Sequence, residues 1–177
     1  MQKKRKKKKK KNMFLFIRFI LLNIRMYALS FLKKYEIFKF SIVNNCSVDL
    51  NSTLTGSLSR LKVGEGTVIS GNANFRFKYG EIEIGRNCLI ANNVSIVFHN
   101  YTIDGVKHIS PNEMYFKNVT IGNHVWIGGG VVVLPGVVIG DNAIIGALSL
   151  VTKDISSNEV WGGVSAKLLY KRNDDAS

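Results

Sequence analysis

Aliphatic and aromatic residues recur at every sixth position through most of the chain. The recurrence forms four groups of three: Val63, Ile69 and Phe75; Ile84, Ile90 and Ile96; Ile121, Ile127 and Val133; Ile139, Ile145 and Val151. An amphipathic helix repeats near 3.6 residues and a half-buried strand near 2, so a period of six indicates a short strand followed by a corner. Three such units close one triangular coil, and the pattern predicts an all-β solenoid of parallel strands.

A second inward row is expected two positions before these residues in the later coils, because side chains alternate by two along a strand. It comprises Val119, Val125, Val131, Val137, Ala143 and Ser149. The corners are rich in Gly, Asn and Asp, as in Gly85-Arg86-Asn87 and Gly140-Asp141-Asn142. These residue types tolerate the positive φ angles of tight corners, so turn chemistry and hydrophobic period predict the same architecture.

The period is interrupted at two places. The step from Phe75 to Ile84 is nine residues, which predicts a bulged corner, and the step from Ile96 to Ile121 is twenty-five. Nineteen extra residues therefore leave the solenoid and return, in a loop excursion at about 97–118. Such long excursions commonly carry function. This one contains His99, Tyr101, Asp104, His108 and Tyr115.

The N-terminal part is expected to lie outside the repeat. Nine of the first twelve residues are basic, which predicts a disordered polybasic tail over 1–12. The stretch from Met13 to Leu32 is long enough to span a bilayer, but Arg18 and Arg25 interrupt it. An arginine at the centre of a spanning helix raises the free energy of membrane insertion by ~2.5–3.5 kcal/mol. A signal peptide likewise needs an uninterrupted apolar region, which Arg18 breaks. Neither a spanning helix nor secretion is predicted.

An amphipathic helix over 13–37 is expected instead, with Arg18 and Arg25 on nearly the same face. Such a helix either lies on an anionic membrane surface through residues 1–34, or packs on the solenoid or a neighbouring subunit; both remain open. The solenoid is expected over 38–172, with Val48 and Leu54 as inward residues of an irregular first coil, and 173–177 as a C-terminal tail. The expected location is cytoplasmic, or peripheral on the inner face of the membrane.

Composition limits the function classes. With 177 residues and 46% hydrophobic content, the chain fits one core with an appendage. The formal net charge is +13, but nine basic residues lie in the first twelve, so the body lacks the basic surface typical of nucleic-acid binding. Cys46 and Cys88 form no CxxC pair, and Cys88 occupies an inward position, which predicts a buried thiol.

The residues from Asn118 to Ile155, NVTIGNHVWIGGGVVVLPGVVIGDNAIIGALSLVTKDI, resemble the C-terminal coils of the hexapeptide-repeat acyltransferases, and are most similar to sugar O-acetyltransferases. The resemblance extends over roughly Val63 to Arg172. It implies a left-handed parallel β-helix, a homotrimer, and acetyl-CoA as co-substrate in a groove between subunits. The left hand is implied by the resemblance alone, because parallel crossovers are ordinarily right-handed.

In that family a loop histidine acts as general base, and His99 in NNVSIVFHNY is the best matching position. A positioned imidazole removes the proton of a sugar hydroxyl during its attack on the thioester. His99 is followed by Asn100 and Tyr101, where relatives commonly have a small residue or Pro and then an aliphatic residue, so His108 is a second candidate base. Trp126 is a candidate to stabilise the charge on the thioester carbonyl, to contact the pantetheine arm, or to lie in the subunit interface.

Further contacts are implied by the same resemblance. Small positions beside the pantetheine arm and basic positions near the cofactor phosphates correspond to Gly128, Gly129, Gly146, Ala147, Lys153 and Lys167. Candidate acceptor contacts are Asn93, Tyr101 and Asp104. His124 is expected as a corner or cofactor-groove residue. No metal site is expected, because the three histidines include no close pair of the kind that zinc enzymes of this fold use.

The resemblance implies an acetyl-CoA-dependent O-acetyltransferase that modifies a saccharide hydroxyl, and the basic, amphipathic N-terminus favours the synthesis of a cell-envelope glycan, such as a capsule or lipopolysaccharide. One alternative is N-acetylation of a nucleotide-linked amino sugar, since a histidine base serves an amine as well as a hydroxyl. Another is a non-catalytic solenoid that scaffolds a membrane complex.

Overall fold

The computed structural model describes the backbone of residues 2–97, 99–101 and 114–172, and the side chains of residues 18–97 and 116–172. The chain divides into two compact units, one through Ile37 and the other from Phe38 onward. Helix α1 (Gln2–Val43) has 42 residues and supplies the whole of the described part of the first unit. Within the described residues, no helix carries a stretch long and apolar enough to cross a membrane.

Helix α1 is longer at both ends than the segment expected over 13–37. It includes the lysine run that was expected as a disordered tail, because lysine is a good helix former and no Gly or Pro precedes Gly56. The helix ends where Asn45 adopts a left-handed φ of 49°. This is the conformation in which Asn commonly terminates helices.

The second unit is a parallel β-solenoid with three faces. Face A contains β1 (Ser47–Val48), β4 (Val68–Ile69), β7 (Leu89–Ile90), β12 (Trp126–Ile127), β15 (Ile144–Ile145) and β17 (Glu159–Gly162), with β18 (Lys167–Lys171) antiparallel at its edge. Face B contains β2 (Thr53–Thr55), β5 (Asn74–Arg76), β8 (Ser95–Val97), β13 (Val132–Val133) and β16 (Leu150–Val151). Face C contains β3 (Leu61–Val63), β6 (Ile82–Ile84), β11 (Val119–Ile121) and β14 (Val138–Ile139). The chain passes through A, B and C in turn, and each strand pairs with the strand one coil away.

The core consists of the two inward rows that the hexapeptide period predicts. All twelve repeat positions are buried, with at most 6% of the side chain exposed, and the six residues of the second row are at most 2% exposed. Val48 and Leu54 are buried as well, so they are inward residues of the first coil, as predicted. Its sequence phase is irregular because a 3-10 turn (Leu58–Arg60) lengthens the corner before β3. The predicted burial of Cys88 is confirmed, and burial raises the pKa of its thiol.

Two of the three corners are columns of residues with positive φ. The column between faces C and A consists of Asn45, Gly66, Asn87, His124, Asn142 and Asn158, with φ from 49° to 71°. The column between faces A and B consists of Asn72, Asn93, Gly130, Leu148 and Gly163. Backbone N–H groups in these columns donate to carbonyls of the previous coil, as from His124 to Arg86 at 2.9 Å. His124 is therefore a corner residue in a conformation that His and Asn tolerate.

The third corner, between faces B and C, carries the insertions. The chain leaves it after Val97 and returns before Val119. The excursion includes an antiparallel hairpin of β9 (His99–Tyr101) and β10 (Met114–Phe116), in which His99 is the register partner of Phe116. The long interruption of the period therefore coincides with a single corner of the coil.

Candidate functional site

The base of the hairpin is fixed by the neighbouring coil. The ring of Phe116 packs edge-on against Tyr79, with 5.1 Å between the centroids. The N–H of Glu81 donates to Asn118 Oδ1 at 2.9 Å, just before β11 begins. The bulged corner between β5 and β6 therefore supports the hairpin, and the backbone of His99 begins its first strand.

The other residues expected in the excursion are only partly described. The side chains of His99 and Tyr101 lie outside the described residues, and so do Asp104 and His108 in full. Asn93 lies in the column between faces A and B, with φ 61°, at the other end of β8 from His99. Its N–H donates to Gly71 O at 3.0 Å, so its backbone has a corner role whatever its side chain binds.

Face B holds a buried polar group that the sequence reasoning missed. Asn74 is the register partner of Ser95, and Arg76 is the partner of Val97, two residues before His99. Among the described residues, the buried side-chain oxygens without a hydrogen-bond partner are Asn74 Oδ1 and Ser52 Oγ. A buried oxygen without a hydrogen-bond partner destabilises the folded state by about 1–3 kcal/mol. A ligand that donates a hydrogen bond would remove this cost, so Asn74 is a candidate ligand contact. The available sequence signal was an Asn inside a strand, where Asn is disfavoured.

Trp126 lies on a different side of the molecule. Its side chain is 50% exposed on face A, in register with Leu89 and Ile144. Because face A is opposite the corner between faces B and C in a triangular coil, one chain does not bring Trp126 to the hairpin that carries His99. Val68 continues the row, so the outer surface of face A is an apolar stripe.

Most of the residues expected to contact the cofactor lie together at the corner between faces A and B. A Cβ on Gly128 would lie 2.6 Å from Ala147 N, so packing between coils requires this glycine. A Cβ on Gly129 or Gly146 would find its nearest neighbour at 3.4 or 3.5 Å, which is ordinary contact. The chain's own packing therefore does not require glycine at these two surface positions, and they leave clearance for a ligand.

The two lysines expected near the cofactor phosphates lie at different corners of the solenoid. Lys167 is the register partner of Gly162 and belongs to the same corner as Gly146, whose added Cβ would lie 3.7 Å from Gly162 Cα. Lys153 follows β16 at the corner between faces B and C, where its Nζ lies 5.4 Å from the centre of the Trp161 ring. At that distance an ammonium group is attracted to an indole face. Lys153 therefore packs against Trp161 at the C-terminal end of the core.

A buried carboxylate closes the same end of the solenoid. Glu159 accepts hydrogen bonds from Trp161 Nε1 at 2.8 Å and from Ser156 N at 3.1 Å, and Lys171 Nζ lies 3.5 Å away. The indole N–H is the largest influence and lowers the pKa of Glu159. The hydrogen bonds fix Glu159 within β17 and the turn before it, and the ion pair with Lys171 joins β17 to β18. No group of three or more His, Cys, Asp or Glu side chains within the described ranges is arranged to hold a metal ion.

Comparisons with known proteins agree with this geometry. A sequence profile described as "Bacterial transferase hexapeptide (six repeats)" matches residues 118–153. Galactoside O-acetyltransferase of Escherichia coli (strain K12) is 46% identical over 94 residues, which are 52% of this chain and 45% of the relative. A putative acetyltransferase of Bacillus subtilis (strain 168) is 30% identical over 128 residues, which are 72% of this chain and 70% of the relative. A solved galactoside acetyltransferase in complex with coenzyme A is 33% identical, with a TM-score of 0.57 over 76% of this chain and 68% of that chain.

The chain belongs to the hexapeptide-repeat acetyltransferase family. Its solenoid is the left-handed parallel β-helix of that family, as the resemblance of residues 118–155 implied. The chain spans about half the length of several of the curated relatives that it matches.

Proposed function

We propose that the protein is an acetyl-CoA-dependent O-acetyltransferase that acetylates a saccharide hydroxyl, with His99 as general base. The observation that carries the proposal is the anchored hairpin, whose first strand begins at His99, just beyond the end of face B where Val97 pairs with Arg76. Similarity to a galactoside O-acetyltransferase supports a saccharide acceptor. We assign the acceptor to a cell-envelope glycan or its precursor because the N-terminal helix is basic and apolar.

The chemistry requires one proton acceptor and no covalent enzyme intermediate. The imidazole of His99 takes the hydroxyl proton as the oxygen attacks the thioester carbonyl. The carbon–sulfur bond then breaks, and the imidazolium returns the proton to the departing thiolate. An N–H donor, either from the backbone or from Trp126, stabilises the negative charge on the carbonyl oxygen. Holding both substrates in register supplies much of the rate.

The corner between faces A and B fits the pantetheine arm of acetyl-CoA. Gly129 and Gly146 leave surface clearance that the protein's own packing does not need, and Ala147 adds only a methyl group. Lys167 lies at the same corner and suits a phosphate as a point charge. Lys153 contacts Trp161, so we assign the phosphate contact to Lys167 in preference.

The test compares three histidine variants in a release assay for free CoA with a panel of saccharide acceptors. We expect His99→Ala to lower acceptor-dependent turnover by about 10²–10⁴-fold, the usual contribution of a general base, and to leave coenzyme A binding intact. His124→Asn is the matched control, because the same corner column already holds Asn45, Asn87, Asn142 and Asn158. It should fold and turn over normally.

Each alternative has its own outcome in this assay. Unchanged turnover in His99→Ala together with a collapse in His108→Ala would assign the base to His108. Release of CoA with nucleotide-linked amino sugars and not with hydroxyl acceptors would favour N-acetylation. If the full chain binds no coenzyme A and no acceptor elicits release, the scaffold hypothesis replaces the enzyme.

A further inference from the structure

The positive charge of the protein is concentrated in helix α1. Thirteen of the 25 basic residues precede Glu36, which is the first acidic residue of the sequence. The twelve basic residues that follow are balanced by the twelve acidic residues, so residues 1–35 carry the whole formal net charge of +13. A charge segregated in this way does not stabilise the solenoid, and it is suited to an extended anionic surface.

The same helix carries exposed apolar side chains on one continuous arc. At 3.6 residues per turn, eight residues between 20 and 35 fall on an arc of about 140° that contains no polar residue from that stretch. They are Ile20, Leu21, Ile24, Tyr27, Ala28, Phe31, Leu32 and Tyr35. The seven larger side chains are 40–77% exposed. An apolar surface of this extent on a soluble chain is normally covered by a partner.

The opposite side of residues 18–35 holds all of their polar side chains and no acidic one. It contains Arg18, Asn23, Arg25, Ser30, Lys33 and Lys34, interspersed with the apolar residues Phe19, Leu22, Met26 and Leu29. The basic run at 3–11 continues the helix toward its N-terminus. A helix with a continuous apolar arc, basic side chains on the opposite side and a flanking basic run is typical of segments that lie in the headgroup region of a bilayer.

We infer that helix α1 docks the protein on an anionic lipid bilayer, lying in the plane of the interface with the apolar arc toward the acyl chains. The basic residues around it contact the headgroup phosphates. The orientation follows from Arg18 and Arg25, which an interfacial helix keeps in the headgroup layer and a spanning helix would carry into the hydrocarbon.

A second copy of the chain is a less suitable partner for this arc. Packing several copies of the helix in parallel would bring several uncompensated basic runs together, and like charges repel across a desolvated contact. Anionic headgroups neutralise the same charges. Charge complementarity therefore selects the bilayer as the occupant.

The test measures cosedimentation of the full chain with vesicles of phosphatidylcholine alone, or of phosphatidylcholine mixed with phosphatidylglycerol. We expect partition to the anionic vesicles to be about tenfold or more stronger, and to weaken as added salt shortens the screening length. Equal binding to both vesicle types, or no binding to either, would overturn the proposal.

Two double variants separate insertion of the arc from simple charge attraction. Ile24→Glu with Phe31→Glu places two carboxylates on the apolar arc, whereas Asn23→Glu with Ser30→Glu places two on the polar side with the same change of formal charge. The first pair should lose about tenfold more partition than the second. Circular dichroism confirms that both remain helical. Equal losses would contradict insertion of the arc, and a fall in assembled mass with unchanged vesicle binding would assign the arc to contacts between copies.

Discussion

Leu148 has a backbone conformation that residues with a side chain seldom adopt. Its φ is 60°, in a corner column whose other members are Asn or Gly, and its side chain is 74% exposed. The left-handed conformation costs a branched residue about 1–2 kcal/mol, and little burial offsets that cost here. We expect Leu148→Gly to raise the free energy of unfolding by about 1 kcal/mol, measured by urea denaturation. Leu150→Gly, two residues later in β16, is the control and should lower it, because no strain is relieved there.

The structural role of a residue could be predicted from the sequence where a single local rule determines it. The inward rows and the corner role of His124 follow from side-chain alternation and from the residues that tolerate positive φ. Asn93 was predicted as an acceptor contact, yet its backbone belongs to a corner at the other end of β8 from His99. Lys153 was predicted near the cofactor phosphates, yet it lies over Trp161. The acceptor contact of Asn93 and the phosphate contact of Lys153 stay predictions, because each depends on neighbours distant in sequence that a six-residue period does not specify.

At the scale of elements, the ionised form of Glu159 is expected to stabilise the end of the solenoid that hairpin β17–β18 closes. Hydrogen bonds from Trp161 and Ser156, with Lys171 nearby, lower its pKa, so the folded state binds this proton less readily than the unfolded chain does. The resulting stability is present above the ordinary glutamate pKa of about 4.3 and is lost as the pH falls through the lower folded value.

We therefore expect Glu159→Gln to lower the melting temperature at near-neutral pH, with the difference from the wild type shrinking as the pH falls toward the lower folded value of the pKa. Melting curves across this acid range check the prediction. Glu83→Gln is the control, because Glu83 is exposed and lies 3.9 Å from Lys62. An exposed ion pair of this kind contributes little. A constant difference between Glu159→Gln and the wild type across the range would show that the carboxylate acts by shape alone.

The elements that could be predicted were those built from local repetition. The bounds of the excursion followed from the steps between repeat positions, but its hairpin did not, since β9 and β10 pair where Phe116 meets Tyr79 of another coil. Helix α1 was predicted too short. Charge repulsion predicted that the lysine run is disordered, whereas in the structure the helix continues through it because lysine has a high helix propensity.

At the scale of the whole molecule, His99 and Trp126 lie at opposite parts of the triangular coil. If both serve one reaction, with Trp126 as the N–H donor of the proposed mechanism, the site is completed by a second copy whose face A meets the hairpin of the first. Two different surfaces then form each contact, which makes the interface heterologous, and closed heterologous contacts generate rings. A ring of three agrees with the homotrimer that the family resemblance implies. The apolar stripe of Val68, Leu89 and Trp126 is the surface available for such a contact.

Subunit complementation tests this arrangement directly. His99→Ala and Trp126→Ala should each lower turnover strongly as separate proteins. The two variants are unfolded together in equal amounts and reassembled. A site between copies then has both side chains only where the hairpin comes from a Trp126→Ala copy and face A comes from a His99→Ala copy, which is about one quarter of the interfaces. Turnover should therefore recover to about one quarter of the wild-type value, because chance decides each neighbour independently. A mixture with no more activity than the two variants measured apart would place both residues' roles within a single chain, or remove Trp126 from the reaction.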